Sequence, residues 1–124
     1  MNPITKKNNR NTPQRNGRLL ALKVLFECDL TQHEWGLSLN AHSSTNQRNS
    51  KIKAFASERI EGVLQRRATL DQIIQDLAPS WPVDQISTVD RNILRMAIFE
   101  LQHGSTIPQK VVINEAVELS KLYG

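Results

Sequence analysis

Apolar positions along the chain recur at steps of three and four residues, the spacing that gathers side chains onto one face of a helix. From about residue 18 to 32, Leu19, Leu22, Leu25, Phe26 and Leu30 form such a face, with Asn16 as the expected cap. The period returns at Ile52, Phe55, Ala56, Ile60, Val63 and Leu64, while Lys51, Lys53, Glu58, Arg59, Glu61, Arg66 and Arg67 take mostly the other faces. Leu70, Ile73, Ile74 and Leu77 continue an apolar face up to Pro79. Thr69 and Gln72 have capping-box spacing, so residues 51–77 read either as one long helix or as two. Ser87 or Thr88 caps the next helix, whose expected buried side is Ile93, Leu94, Ala97, Ile98 and Leu101. Asp90 falls in its first turn, where free amide groups and the helix dipole favour a negative charge by about 0.3–1 kcal/mol. Gly104 ends that helix and Pro108 opens the last one. There Val112, Ile113, Ala116, Val117, Leu119 and Leu122 are burial candidates, and Gly124 sits at the expected carboxy-terminal cap.

The intervening segments lack this period. Residues 1–16 are Asn-rich and contain Pro3 and Pro13, which predicts a mobile tail. Residues 40–50 have Ala41 as their one apolar side chain and, with Gly36 before them, predict a flexible connection. Pro79 and Pro82 bracket Trp81 in a rigid turn, and the indole is expected to plug the core. No stretch alternates as a strand should; residues 111–113 belong to the last helical period. The fold class predicted is all-α, a compact bundle of about five to six helices. It is divided into a basic disordered tail over 1–15 and one helical domain over 16–124.

Composition narrows the class further. A chain of 124 residues suits one domain and hides roughly two thirds of its unfolded surface. Hydrophobic residues at 39% and charged residues at 23% describe an ordinary globule. No apolar run approaches the roughly 20 residues that cross a bilayer, and the basic amino terminus has no apolar core behind it, so neither a membrane association nor a secretory signal is expected. Cys28 is the single cysteine. It leaves no internal disulfide framework and points to the reducing cytoplasm. Charge, by contrast, is uneven. Lys6, Lys7, Arg10, Arg15, Arg18 and Lys23 fall within residues 1–26 with no acid among them, whereas the remainder holds ten basic and twelve acidic residues. A basic arm on a slightly acidic body is an electrostatic footprint for a polyanion.

Catalytic patterns are missing from the sequence. There is no GxGxxG, Walker loop, cysteine pair or HExxH, and the glycines at 17, 36, 62, 104 and 124 are isolated. His33, His42 and His103 fall in or near loops at a spacing that matches no metal site, and read as surface or capping side chains. Cys28, in an apolar helix, reads as a small buried or half-buried hydrophobe. Glu115 and Glu118 lie one turn apart, as on any solvated helix face. Neither an enzyme nor a cofactor nor a metal is expected.

Two blocks near the carboxy end, ValAspArgAsnIleLeuArgMetAlaIlePheGluLeu at 89–101 and LysValValIleAsnGluAlaValGluLeuSerLysLeuTyrGly at 110–124, closely resemble the signature of the NusB transcription antitermination family. LeuAlaLeuLysValLeuPheGluCysAspLeu at 20–30 is similar to the family's first helix. PheAlaSerGluArgIleGluGlyValLeu at 55–64 resembles its next segment, followed in register by Leu70, Asp71 and Ile74. The resemblance implies a helical RNA-binding adaptor that pairs with the ribosomal protein NusE and binds boxA-like single-stranded RNA. Through that complex it would reach other Nus factors and RNA polymerase and support ribosomal RNA transcription. By position, Arg15 and Arg18 match the arginine-rich start of the first helix and Phe26 its RNA-proximal tyrosine, without that hydroxyl. Asp90, Arg91 and Tyr123 match positions near the RNA and partner surfaces. Cations bind phosphates and an aromatic ring stacks on an unpaired base, so Lys6, Lys7 and Arg10 of the arm join these as the candidate RNA-binding residues.

Each has a plainer alternative: the arginines as solubilising charges, Phe26 as core, Asp90 as a helix cap. Two other functions also stay open, an accessory domain of an RNA cytosine methyltransferase and an interaction or dimerisation module with no RNA role. An apolar groove would be covered by NusE or by a second copy in a homodimer. Family members continue past the position of Gly124 with a further helix bearing a PheValAsnGlyValLeu-like stretch. The expectation is therefore that this chain is incomplete and less stable than an extended one.

Overall fold

The computed structural model describes residues 12–43, 49–103 and 106–124. Among them are six α-helices: α1 (Pro13–Thr31), α2 (Trp35–His42), α3 (Asn49–Gln65), α4 (Arg67–Leu77), α5 (Thr88–Gln102) and α6 (Gln109–Tyr123). One 3-10 turn (Val83–Gln85) links α4 to α5, and no strand occurs among the described residues. The all-α expectation holds. The expected tail segment 1–11 lies outside the described residues, as does Gly104.

Local chemistry sets the helix ends. The α1 helix starts earlier than its apolar period suggests. Thr12, not Asn16, is the cap: its Oγ1 accepts the Arg15 amide at 3.1 Å, and Pro13 occupies the first turn, where its missing N–H costs nothing. At the other end Gln32 adopts the left-handed conformation (φ 59°) and its amide returns to the Cys28 carbonyl at 2.9 Å. A helix, α2, runs through Gly36 and takes in the first three residues of the stretch 40–50 expected as a connection. It is tied to α1 where the Ser38 hydroxyl donates to the Glu27 carboxylate and the His42 ring meets the same group at 3.0 Å. Both contacts hold the Glu27 carboxyl below its ordinary pKa, Ser38 most strongly.

Residues 49–77 form two helices. The break is at Arg66, whose amide is shared between the Gly62 and Val63 carbonyls, both at 3.2 Å. Arg66 therefore precedes α4, and Thr69 lies inside it as no cap at all. Ser87 caps α5 as expected, its hydroxyl accepting the Asp90 amide at 3.2 Å.

The bundle closes around α1, which packs against α3 most extensively and also touches α2 and α5; α6 lies on α5. Leu22, Val24, Leu25, Ala56, Ile60, Val63, Leu70, Ile93 and Met96 form the centre of the core. Two glycines allow the close approach. A Cβ on Gly17 would lie 2.7 Å from the Phe55 ring, and one on Gly62 would lie 2.2 Å from that of Phe99. Cys28 is buried, as read, and burial raises its thiol pKa.

Several burial expectations fail in an informative way. In α5 the inward side is Asn92, Ile93, Arg95, Met96, Phe99 and Glu100, while Leu94 and Leu101 face outward. Arg95 is buried because Asp71 accepts from its Nε and Nη2 at 2.7 and 2.8 Å, and Asp29 accepts from its Nη1 at 3.2 Å. A guanidinium with this many acceptors displaces leucine from the interface. Trp81 is 62% exposed rather than a core plug, because the proline-flanked turn holds it out from the bundle. Leu30, Leu77, Ile113, Val117 and Leu122 are exposed as well.

Candidate nucleic-acid interface

The amino-terminal turns of α1 meet α3, α5 and α6 at a cluster of five charged side chains. Gly17 brings the helix backbones together, and beside it Arg18 is inserted with its side chain only 4% exposed. Its Nε donates to Glu100 Oε2 at 2.8 Å and its Nη2 to Oε1 at 2.7 Å, a paired fork that only a planar guanidinium can make. Arg59 reaches the same Glu100 Oε1 from α3 at 3.3 Å, and its guanidinium lies 3.5 Å over the Phe55 ring centroid. Two cations thus share one buried carboxylate, with the electron-rich ring face supporting the second.

Glu115 completes the cluster from α6. Arg15 donates to it through Nε at 2.8 Å and Nη2 at 2.5 Å, and Arg18 Nη1 stands 4.0 Å away. The Arg15 hydrogen bonds hold the Glu115 carboxyl below its ordinary pKa against the opposing effect of burial, and Glu115 in turn raises Arg15. The reading of Glu115 as a solvated-face residue is corrected: its side chain is 14% exposed.

Outside this cluster opens a cleft of about 490 Å³ between α1 and α6, lined by Arg15, Asn16, Arg18, Leu19, Glu115, Glu118, Leu119, Leu122 and Tyr123. Three of the sequence-predicted residues, Arg15, Arg18 and Tyr123, therefore share one site although up to 108 positions apart (Arg15 to Tyr123). Arg15 and Tyr123 are accessible, with the Arg15 side chain 29% and Tyr123 46% exposed. Arg18 presents little to solvent.

The other candidates fall elsewhere. Phe26 lies on the outer side of α1, 36% exposed and three turns, roughly 16 Å, beyond Arg15. Asp90 lies in the first turn of α5 with its Oδ1 3.5 Å from the Ser120 hydroxyl. It borders a second, mainly apolar groove of about 520 Å³ whose walls include Ile74, Leu77, Trp81, Leu94, Ile98 and Val117. Arg91 is half-buried beside Thr88 and lines neither. Lys6, Lys7 and Arg10 lie outside the described residues. Sequence reasoning missed Glu100 and Arg59, although a glutamate seven positions after Ile93 was a visible sign of a charge on an inward face. Among the described residues no cluster of histidine, cysteine and carboxylate side chains is arranged to hold a metal, and no helix is long and apolar enough to cross a membrane.

A six-helix bundle with an arginine-lined cleft at the start of its first helix defines a small helical binding domain. The chain belongs to the NusB family, whose profile matches residues 15–124. It is 39% identical over 113 residues to the transcription antitermination protein NusB of Dehalococcoides mccartyi, covering 91% of this chain and 79% of that one. To the protein of the same name from Myxococcus xanthus it is 39% identical over 115 residues, or 90% and 82% of the two chains. The fold matches T. maritima NusB with a TM-score of 0.82 at 33% identity, over 92% of this chain and 80% of the other. A crystal structure of the antitermination factors NusB and NusE in complex with dsRNA shares the fold at a TM-score of 0.76 and 22% identity, over 90% and 83%.

Proposed function

We propose that the protein is a transcription antitermination factor that binds boxA-like single-stranded RNA and docks NusE, acting in the cytoplasm as an adaptor without catalysis. The observation that carries the RNA reading is the convergence of Arg15 and Tyr123 on one open cleft, a phosphate ligand and a stacking ring within the same site. Family membership supports the antitermination role, and the NusB solved with NusE and dsRNA supports the choice of partners. The basic residues Lys6, Lys7 and Arg10 add positive charge that attracts an RNA backbone. Phe26, Asp90 and Arg91 lie outside the cleft and are assigned to its borders and to the NusE-facing side. Association with other Nus factors and RNA polymerase follows through the NusE complex. A second copy covering the apolar groove is the competing homodimer arrangement.

The test is an anisotropy titration of labelled boxA-like RNA, with and without NusE. Arg15→Ala is expected to weaken binding and to flatten the salt dependence by up to about 0.7 in log–log slope, the ceiling set by one full phosphate contact on a single strand. Tyr123→Ala should cost about 1–3 kcal/mol of binding if its ring stacks on a base. Arg18 is no clean probe, since its removal takes the paired fork from buried Glu100 and leaves it only the longer contact with Arg59. Equal, weak binding of boxA-like and scrambled strands, unaltered by either substitution, refutes the assignment.

A further inference from the structure

Arg15 is the most accessible cation of the cleft, yet the Nε/Nη2 edge of its fork is already engaged. Glu115 takes Nε and Nη2 together, the same pair of donors that a phosphate takes when it binds an arginine in paired fashion. Glu118, one turn further along α6, adds a second negative charge that acts on Arg15, and its own partner is the exposed Lys121 at 3.4 Å. Arg18 offers no substitute, because its Nε and Nη2 are held by Glu100 at 2.8 and 2.7 Å. A bare phosphate backbone approaching the cleft therefore meets an arginine whose Nε/Nη2 edge is taken and two carboxylates that repel it.

We propose that Glu115 is a specificity-determining residue of this site, a guard carboxylate that the RNA must displace from Arg15 before a phosphate takes its Nε/Nη2 edge. The inference rests on the RNA reading above. Exchange of one bidentate oxyanion for another leaves the guanidinium equally satisfied, so the phosphate contact by itself contributes little net affinity. Strands that also place a base against Tyr123 gain what the exchange does not supply. Strands whose sequence seats no base there are rejected, because their one contact merely replaces an existing one. Discrimination is thus obtained by raising the cost of the sequence-independent contact, a repulsive element as well as an attractive one. The guard also mutes the salt dependence, since a phosphate that displaces a carboxylate exposes a new anion as it covers the old cation.

The experiment titrates fluorescein-labelled boxA-like RNA and a scrambled strand of equal composition against the full chain at two salt concentrations. It compares the unsubstituted protein with Glu115→Gln, Arg15→Ala and the double variant. Glu115→Gln keeps the shape but cannot hold both donors. It is expected to tighten the scrambled strand about tenfold and the boxA-like strand less, narrowing the ratio between them, and to steepen the salt slope by about 0.7. In the Arg15→Ala background the same change should have no effect beyond that of Glu118→Gln, which removes an equal charge without a hydrogen bond to Arg15. Glu115→Asp keeps the charge but shortens the reach, and carries the same test at smaller amplitude if the glutamine variant does not fold. Tightening that persists without Arg15 would mean a general charge effect and overturns the guard. So does an unchanged affinity and slope in Glu115→Gln while Arg15→Ala still weakens binding, a result that leaves the RNA reading standing. Absence of RNA binding in every variant and in the unsubstituted protein removes the RNA reading itself.

Discussion

Glu100 is the side chain on which the cluster depends most. It is 2% exposed and neutralises Arg18 and Arg59 at once. Removing one partner of a buried ion pair leaves an uncompensated charge in a poorly solvated place, at a typical cost of about 3–5 kcal/mol. Glu100→Ala strands two cations and is expected to reach at least the upper part of that range in urea denaturation; a loss under about 1 kcal/mol would contradict the burial and sharing described. Arg59 is better protected than Arg18, since its guanidinium keeps the Phe55 ring and also Glu58, at 2.5 Å. Spacing hinted that Glu100 faces inward, but not at what it pairs with. Glu100 and Glu115 lie among apolar residues in amphipathic helices, and a helical period shows which face a residue occupies but not that arginines from two other helices converge there. What could be read was the excess of cations near the amino end, and Arg15 does line the cleft as that excess suggested.

At the level of the elements, capping chemistry settled what apolar periodicity left open. Ser87 was one of two caps named from sequence, with Thr88, and it is the Ser87 hydroxyl that accepts the Asp90 amide. Ser87→Ala should therefore lower stability by about 1 kcal/mol, seen as a lower denaturation midpoint with an unchanged slope. Thr12 plays the same part for α1 but was overlooked, because the helix begins with a turn that has no apolar residue to announce it. That turn carries Arg15 to the cleft, so Thr12→Ala is expected to fray the site and weaken RNA binding more than it lowers overall stability. The inward face of α5 was misassigned for a different reason. Leucines were ranked above Asn92, Arg95 and Glu100, yet each of these finds polar partners on other helices, and paired polar groups tolerate burial.

Over the whole molecule, the paired carboxylates couple stability to pH. Glu115 and Glu27 both titrate below the ordinary glutamate range. A depressed folded pKa contributes stability that is fully present above the unfolded value, about 4.3, and is lost as pH falls through the folded one. The gap in urea midpoint between the unsubstituted protein and Glu115→Gln is expected to close as pH drops below about 4. A gap that stays constant to pH 3 would separate Glu115 from the acid response. The family and most of the helices, α2 excepted, follow from the sequence alone, because apolar period, Ser, Pro and Gly punctuation and the blocks at 89–101 and 110–124 are local properties of the chain. The tertiary structure decided which charges are buried, which tryptophan and leucines are left on the surface, and which of the predicted residues share a cleft. Those outcomes depend on side chains from distant segments satisfying one another in three dimensions, and no window along the sequence contains both partners.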